Sequence, residues 1–163
     1  MDEVKELGKA RARMLRWLSY RPRSCKEAQR YLEQKGFSGP VAEAVLAEMR
    51  EYRYLDDERF ADEYVQNCLR RGFGPIRARF DLQNRGVNRQ TIDTVVERYF
   101  NREQDLKRAV ALLQKRLADD GCRHDQKWLC RQASFLKSRG YGEATISKAL
   151  QQFRGGPVDE TLS

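Results

Sequence analysis

Three stretches decide the fold: Leu32-Glu33-Gln34-Lys35-Gly36-Phe37, Leu82-Gln83-Asn84-Arg85-Gly86-Val87 and Leu136-Lys137-Ser138-Arg139-Gly140-Tyr141. Each has a leucine, then a base, a glycine and an apolar residue at fixed spacing. This is the signature of a helix end. The glycine takes the left-handed conformation one residue past the C-cap, and the apolar residue after it folds back on the leucine. The base before the glycine suits the negative end of the helix dipole. Gly36, Gly86 and Gly140 are therefore read as the turn glycines of three copies of one unit.

Working outward, the downstream periodicity recurs as well. Ala42, Val45, Leu46 and Met49 follow Gly36 at the offsets at which Ile92, Val95, Val96 and Tyr99 follow Gly86. Ile146, Ala149, Leu150 and Phe153 follow Gly140 in the same way. Upstream, Leu7, Ala10, Met14, Trp17 and Leu18 form a helical stripe, as do Phe60, Ala61, Tyr64, Val65, Cys68 and Leu69. Leu106, Ala109, Val110, Leu113 and Leu117 form another. Ser24 with Glu27 reads as a capping box, Pro40 and Pro75 suit first helical turns, and Asn88 and Asp125 suit N-caps. Sustained strand-like alternation is absent. The expectation is an all-α chain of three tandem three-helix repeats, at 4–51, 57–100 and 102–153, with a flexible tail over 154–163. So small a unit has little core of its own, so the repeats are expected to lean on one another in an elongated, curved array.

Composition narrows the function. The 163 residues carry 32 Lys/Arg against 24 Asp/Glu, a net charge of +8, which draws the chain toward polyanions or acidic protein surfaces. Residues 5–35 hold ten of the bases against three Glu, and Arg16, Arg23, Lys26 and Arg30 there form a secondary basic surface. No apolar run approaches a membrane span and the first residues do not begin a signal peptide, so a cytoplasmic, membrane-free monomer is expected. Catalysis finds no footing. There is one histidine, no phosphate-binding glycine loop and no nucleophile–base pair. Asp56 and Asp57 are adjacent at a helix start, as a cap and a dipole partner. Cys122, His124 and Cys130 lack a fourth ligand, so neither a metal nor another cofactor is expected.

The densest chemistry is Arg70, Arg71, Arg77, Arg79, Arg85 and Arg89, six arginines with one acid, Asp81, in twenty positions. Arginine's planar fork suits phosphate or carboxylate, and the Gly74-Pro75 helix start adds backbone N–H donors. Ile76, Phe80 and Ile92 are read as the core-facing residues of this segment. Phe73 is read as the apolar contact that follows Gly72, rather than as a platform for bases.

Tyr54-Leu55-Asp56-Asp57-Glu58-Arg59-Phe60-Ala61, followed by Arg71-Gly72-Phe73-Gly74-Pro75 and by the Leu82 to Val87 turn, resembles the central signature of the bacterial RecX proteins. The likeness extends to Phe135-Leu136, Arg139-Gly140-Tyr141 and Ile146, and so across nearly the whole chain. It implies tandem three-helix repeats that bind the RecA recombinase filament on single-stranded DNA. It further implies inhibition of filament growth, ATP hydrolysis, strand exchange and coprotease activity, hence a place in homologous recombination, DNA repair and the SOS response, with weak sequence-independent DNA contact. The alternative is a helix-turn-helix regulator that reads duplex DNA with the third helix of a repeat. Glu43, Glu48 and Glu51 on the first such helix, and Asp93 and Glu97 on the second, make poor readers of a polyanion.

Overall fold

The computed structural model describes residues 1–120 and 125–154, and all regular structure among them is helical. The helices run α1 (Asp2–Leu18), α2 (Cys25–Gln34), α3 (Gly39–Glu51), α4 (Asp57–Arg70), α5 (Pro75–Asn84), α6 (Arg89–Tyr99), α7 (Arg102–Asp120), α8 (Gln126–Arg139) and α9 (Glu143–Arg154). The expected tail therefore begins inside α9 at Arg154, and its remainder lies outside the described residues, as do Cys122 and His124. No helix of the described residues is long and apolar enough to cross a membrane.

Five of the helices, α2, α4, α6, α7 and α8, start at a side-chain cap supplied by their own sequence. Ser24 accepts the Glu27 N–H, and Glu27 accepts the Ser24 N–H in return, so the capping box closes. Asp56, Asn88, Asn101 and Asp125 each accept the N–H three residues on. The ends of α2, α5 and α8 share one geometry. Gly36, Gly86 and Gly140 have φ of 79°, 79° and 91°. Phe37, Val87 and Tyr141 donate their N–H to the carbonyls of Leu32, Leu82 and Leu136. Those three leucines are fully buried. Gly72 closes α4 in the same way, with the Phe73 N–H on the Cys68 carbonyl. Arg53 closes α3 with a left-handed φ of 58°, and is the one described non-glycine residue with positive φ.

The chain divides into two compact units. The first comprises Met1–Tyr64 and Asp81–Val95, the second Val65–Phe80 and Val96 onward. The boundary falls inside α4, α5 and α6, so each of these helices contributes a part to both units.

In the first unit α1 and α2 pack on α3, around Ala10, Met14, Ala28, Leu32, Val45 and Met49. Trp17 stacks on Tyr31 at 4.3 Å between ring centroids, and Arg23 lies over the Trp17 ring at 4.2 Å. In the second unit α7 and α8 pack on α9, around Ala109, Leu113, Trp128, Leu136, Ala149 and Phe153. Burying a large apolar side chain contributes about 1.5–3 kcal/mol, which explains why the stripes point inward.

Helix α5 departs from expectation. Ile76 and Phe80 are 55% and 60% exposed, not core-facing, whereas Ile92 is buried as read. The buried pair of α5 is Ala78 and Leu82, one turn apart. Positions 76 and 80 lie two residues before those, about 200° round the helix. Ala28 and Leu32 of α2 hold the same two places, so the repeat sets which face turns inward, and side-chain size does not.

Candidate functional site

Four of the six arginines singled out by sequence, Arg70, Arg71, Arg77 and Arg79, belong to the second unit, while Arg85 and Arg89 belong to the first. They do different things.

In the second unit the turn after α4 places Phe73 beside the start of α5. The guanidiniums of Arg71 and Arg77 lie over the Phe73 ring at 4.9 and 4.6 Å. A third arginine, Arg139 from the end of α8, joins them at 5.0 Å. Arg139 also donates to the Arg71 carbonyl at 2.9 Å and lies over Phe135. Phe73 is thus the turn contact read from sequence and also a platform, but for the chain's own arginines. Each such contact is worth about 0.5–2 kcal/mol, and together they hold like charges close. Arg139 was legible only as a helix-end base, because its meeting with Phe73 is long-range.

The start of α5 does not offer the N–H donors expected of it. The Gly74 N–H donates to the Arg139 carbonyl at 2.7 Å and the Ile76 N–H to the Gly140 carbonyl at 3.0 Å. Pro75 between them has no N–H. The C-terminal carbonyls of α8 therefore cap the N-terminus of α5, end to start, and the dipoles run in series. Only glycine fits on either side. A Cβ on Gly74 would sit 2.5 Å from the Gly140 oxygen, and one on Gly140 would sit 2.5 Å from the Arg77 nitrogen.

The first unit holds a corresponding joint. Ser24 at the start of α2 is fully buried, and its hydroxyl donates to the Arg85 carbonyl at 2.5 Å. The Cys25 N–H donates to Asp57 at 2.8 Å. Gly86 faces the root of the Lys26 side chain. Arg85 itself is committed here, donating to Glu27 at 3.2 Å and lying over Tyr64 at 5.0 Å. Burial pushes the Glu27 carboxyl up, but hydrogen bonds from Arg21 and the Ser24 backbone and the charges of Arg21 and Arg85 outweigh it, leaving Glu27 below the ordinary range.

Of the remaining named residues, Arg89 projects with its side chain 96% exposed and pairs loosely with Asp93 at 3.9 Å. Arg70 is exposed, and Arg79 half-buried. Among the secondary bases, Arg16 and Arg30 are exposed, Lys26 is exposed beyond its packed root, and burial lowers the Arg23 guanidinium. Cys130 is exposed, and no cluster of three or more metal-ligating side chains exists among the described residues.

The outward face of α5 now has a definite composition: Ile76 and Phe80 one turn apart, with Arg77 between them in sequence and likewise exposed. Sequence reasoning missed this face by assigning both apolar residues to the core. The signal that finds it is the repeat alignment with Ala28 and Leu32.

Models of the first and second three-helix domains of RecX match residues 10–49 and 56–96. The chain is 33% identical to the regulatory protein RecX of Bacillus subtilis strain 168, over 93% of its own length and 56% of that protein, so it spans little more than half of that relative. It is 31% identical to the regulatory protein RecX of Trichlorobacter lovleyi, over 85% of its own length and 91% of that protein. In fold it is similar to the crystal structure of RecX from Lactobacillus salivarius, with a TM-score of 0.81 at 16% identity, over 92% of this chain and 97% of that one.

Proposed function

The chain belongs to the RecX family of regulatory proteins, and from that premise we propose that it is a non-enzymatic modulator of the RecA recombinase filament on single-stranded DNA. It binds the filament and inhibits its growth, ATP hydrolysis, strand exchange and coprotease activity. The observation that carries this reading is the face of α5. Ile76 and Phe80 give an exposed apolar ridge of the kind that anchors protein interfaces, and Arg77 beside them supplies charge.

A duplex reader would insert a third helix, and α3 and α6 carry Glu43, Glu48 and Glu51, and Asp93 and Glu97, against that. Arg70, Arg71, Arg77 and Arg79 are the contact residues on this reading, with Arg89 and the secondary bases contributing screened, long-range attraction. Arg85 acts through the joint it holds. No covalent step is needed: differential affinity for growing and non-growing filament ends shifts their populations.

The test is the recombinase's DNA-dependent ATP hydrolysis with and without this protein. The chain is expected to lower it. Arg77→Glu with Arg79→Glu is expected to weaken inhibition at least about tenfold, or ~1.4 kcal/mol, in a chain that stays helical and loses no more stability than the Arg77–Phe73 contact supplies, about 0.5–2 kcal/mol. The same reversal at Lys107 and Lys115 should matter less. No effect of the wild-type chain on hydrolysis, or a footprint at one preferred duplex sequence, would sink the reading.

A further inference from the structure

Within the first unit a cleft of about 510 Å³ opens between the end of α1 with its following loop, the α3–α4 link and the first turns of α4. Its lining holds four arginines, Arg21, Arg23, Arg53 and Arg59, against two acids, Asp56 and Glu63. Glu27, outside the cleft, engages Arg21, and Glu63 engages Arg59. Arg53 and Arg23 are the two that make no ion pair within the cleft, although the Glu27 charge reaches Arg23 while those of Arg21 and Arg85 oppose it. Arg23 stacks on Trp17, and its Nε is buried with no acceptor, a costly arrangement for a donor. Arg53 holds the left-handed place that glycine fills at the ends of α2, α4, α5 and α8. The same turn is built, with the Tyr54 N–H on the Met49 carbonyl and the Arg53 N–H on the Arg50 carbonyl, but with a strained residue carrying a cation. At the rim stand Tyr20 and Tyr54, 70% and 58% exposed.

We infer that this cleft binds one or two nucleotides of a single-stranded nucleic acid, with Tyr20 and Tyr54 as stacking surfaces and Arg23 and Arg53 as phosphate contacts. Arginines without an ion-pair partner beside exposed aromatic rings match a chain of alternating phosphates and flat bases. A cleft of this volume excludes a duplex, whose bases are in any case stacked on one another and cannot reach a tyrosine ring. An acidic peptide would use the arginines but leave the two rings bare. The inference stands apart from the filament reading, since it needs only the strand.

The measurement is fluorescence anisotropy of labelled oligo(dT), about 15 nucleotides long, titrated with the full chain at about 50 mM salt. Tyr20→Ala with Tyr54→Ala is expected to weaken binding at least about tenfold with melting unchanged. Arg53→Gly carries the sharper signature. Glycine relieves the left-handed strain, so the melting temperature should rise, while affinity for the strand falls about threefold or more. Tyr52→Ala, exposed but outside the lining, should bind as the wild type does. Undiminished binding by the two cleft variants would overturn the inference. So would a wild-type chain that does not bind oligo(dT), or a duplex of equal length that competes as well as the single strand.

Discussion

The two joints, α8 onto the start of α5 and α5 onto the start of α2, solve one problem with different chemistry. Both press the glycine turn of a repeat against the first turn of the preceding repeat's second helix. In the second unit the contact is backbone to backbone: Gly74 and Ile76 donate to Arg139 and Gly140, and two glycines leave no side chain between the strands of the contact. In the first unit it runs through side chains: the Ser24 hydroxyl, the Asp57 carboxylate and the Glu27–Arg85 pair. The lesson is about pH. Both joints are sterically tight at their glycines, but the backbone joint is blind to pH, whereas the side-chain joint carries a titratable group. The Gly36 turn of the first repeat makes no such joint, for a Cβ there would meet nothing within 4 Å, and it serves as an internal control.

The comparison can be broken first at the glycines. Gly140→Ala combines a left-handed strain with a clash against the Arg77 backbone, and should cost about 3 kcal/mol or more. Gly86→Ala meets the Cβ of Lys26 and, at 2.5 Å, its Cγ, of which only the Cγ can turn away without moving α2, and should cost about 2 kcal/mol or more. Gly36→Ala carries the strain alone, about 1 kcal/mol. Denaturant midpoints of the three variants measure the order, and equal losses would show that neither joint adds anything to its turn.

A second substitution isolates the side-chain joint. As an N-cap, Asp equals Ser, so Ser24→Asp should be nearly silent if Ser24 only caps α2. Because its hydroxyl also donates to the partly buried Arg85 carbonyl, the carboxylate instead meets that oxygen, with an expected loss of about 2 kcal/mol.

The smallest effect sharpens the contrast in pH. Glu27→Gln should cost about 1 kcal/mol at neutral pH. Glu27 sits below its ordinary value in the folded chain, so its contribution is complete above the unfolded value of about 4.3 and is lost as pH falls through the lower folded one. Wild type and variant should therefore converge in acid. A gap that persists there would mean that shape, not charge, holds Glu27 in place.

Much of this was legible in sequence because it is local. The capping box of Ser24 and Glu27, the turn at each glycine and the buried leucine four residues before it are all written within one helix length. What the turns press against was not, since Gly74 meets Arg139 at the far end of the fourth helix after it. The orientation of α5 was misread for a different reason. Ile76/Phe80 and Ala78/Leu82 are both apolar pairs one turn apart, and hydrophobicity alone favours the larger pair. The repeat decides for the smaller one, because small residues at positions 28 and 78 are what let the second helix lie close. The arginine cluster was visible as composition, but its division between Phe73, Tyr64 and open solvent depends on partners that composition cannot place.

The backbone joint also sets an order in time. A ribosome delivers α5 well before α8, and until Arg139 and Gly140 emerge, the amides of Gly74 and Ile76 have only water to bond. The first repeat can settle around its own core during synthesis, as N-terminal segments generally do. The middle repeat stays unfinished until the last one arrives to close it. A chain stopped short of residue 139 would carry an incomplete second unit, and a protease reaching the nascent protein would find the start of α5 open for as long as translation takes to cross three more helices.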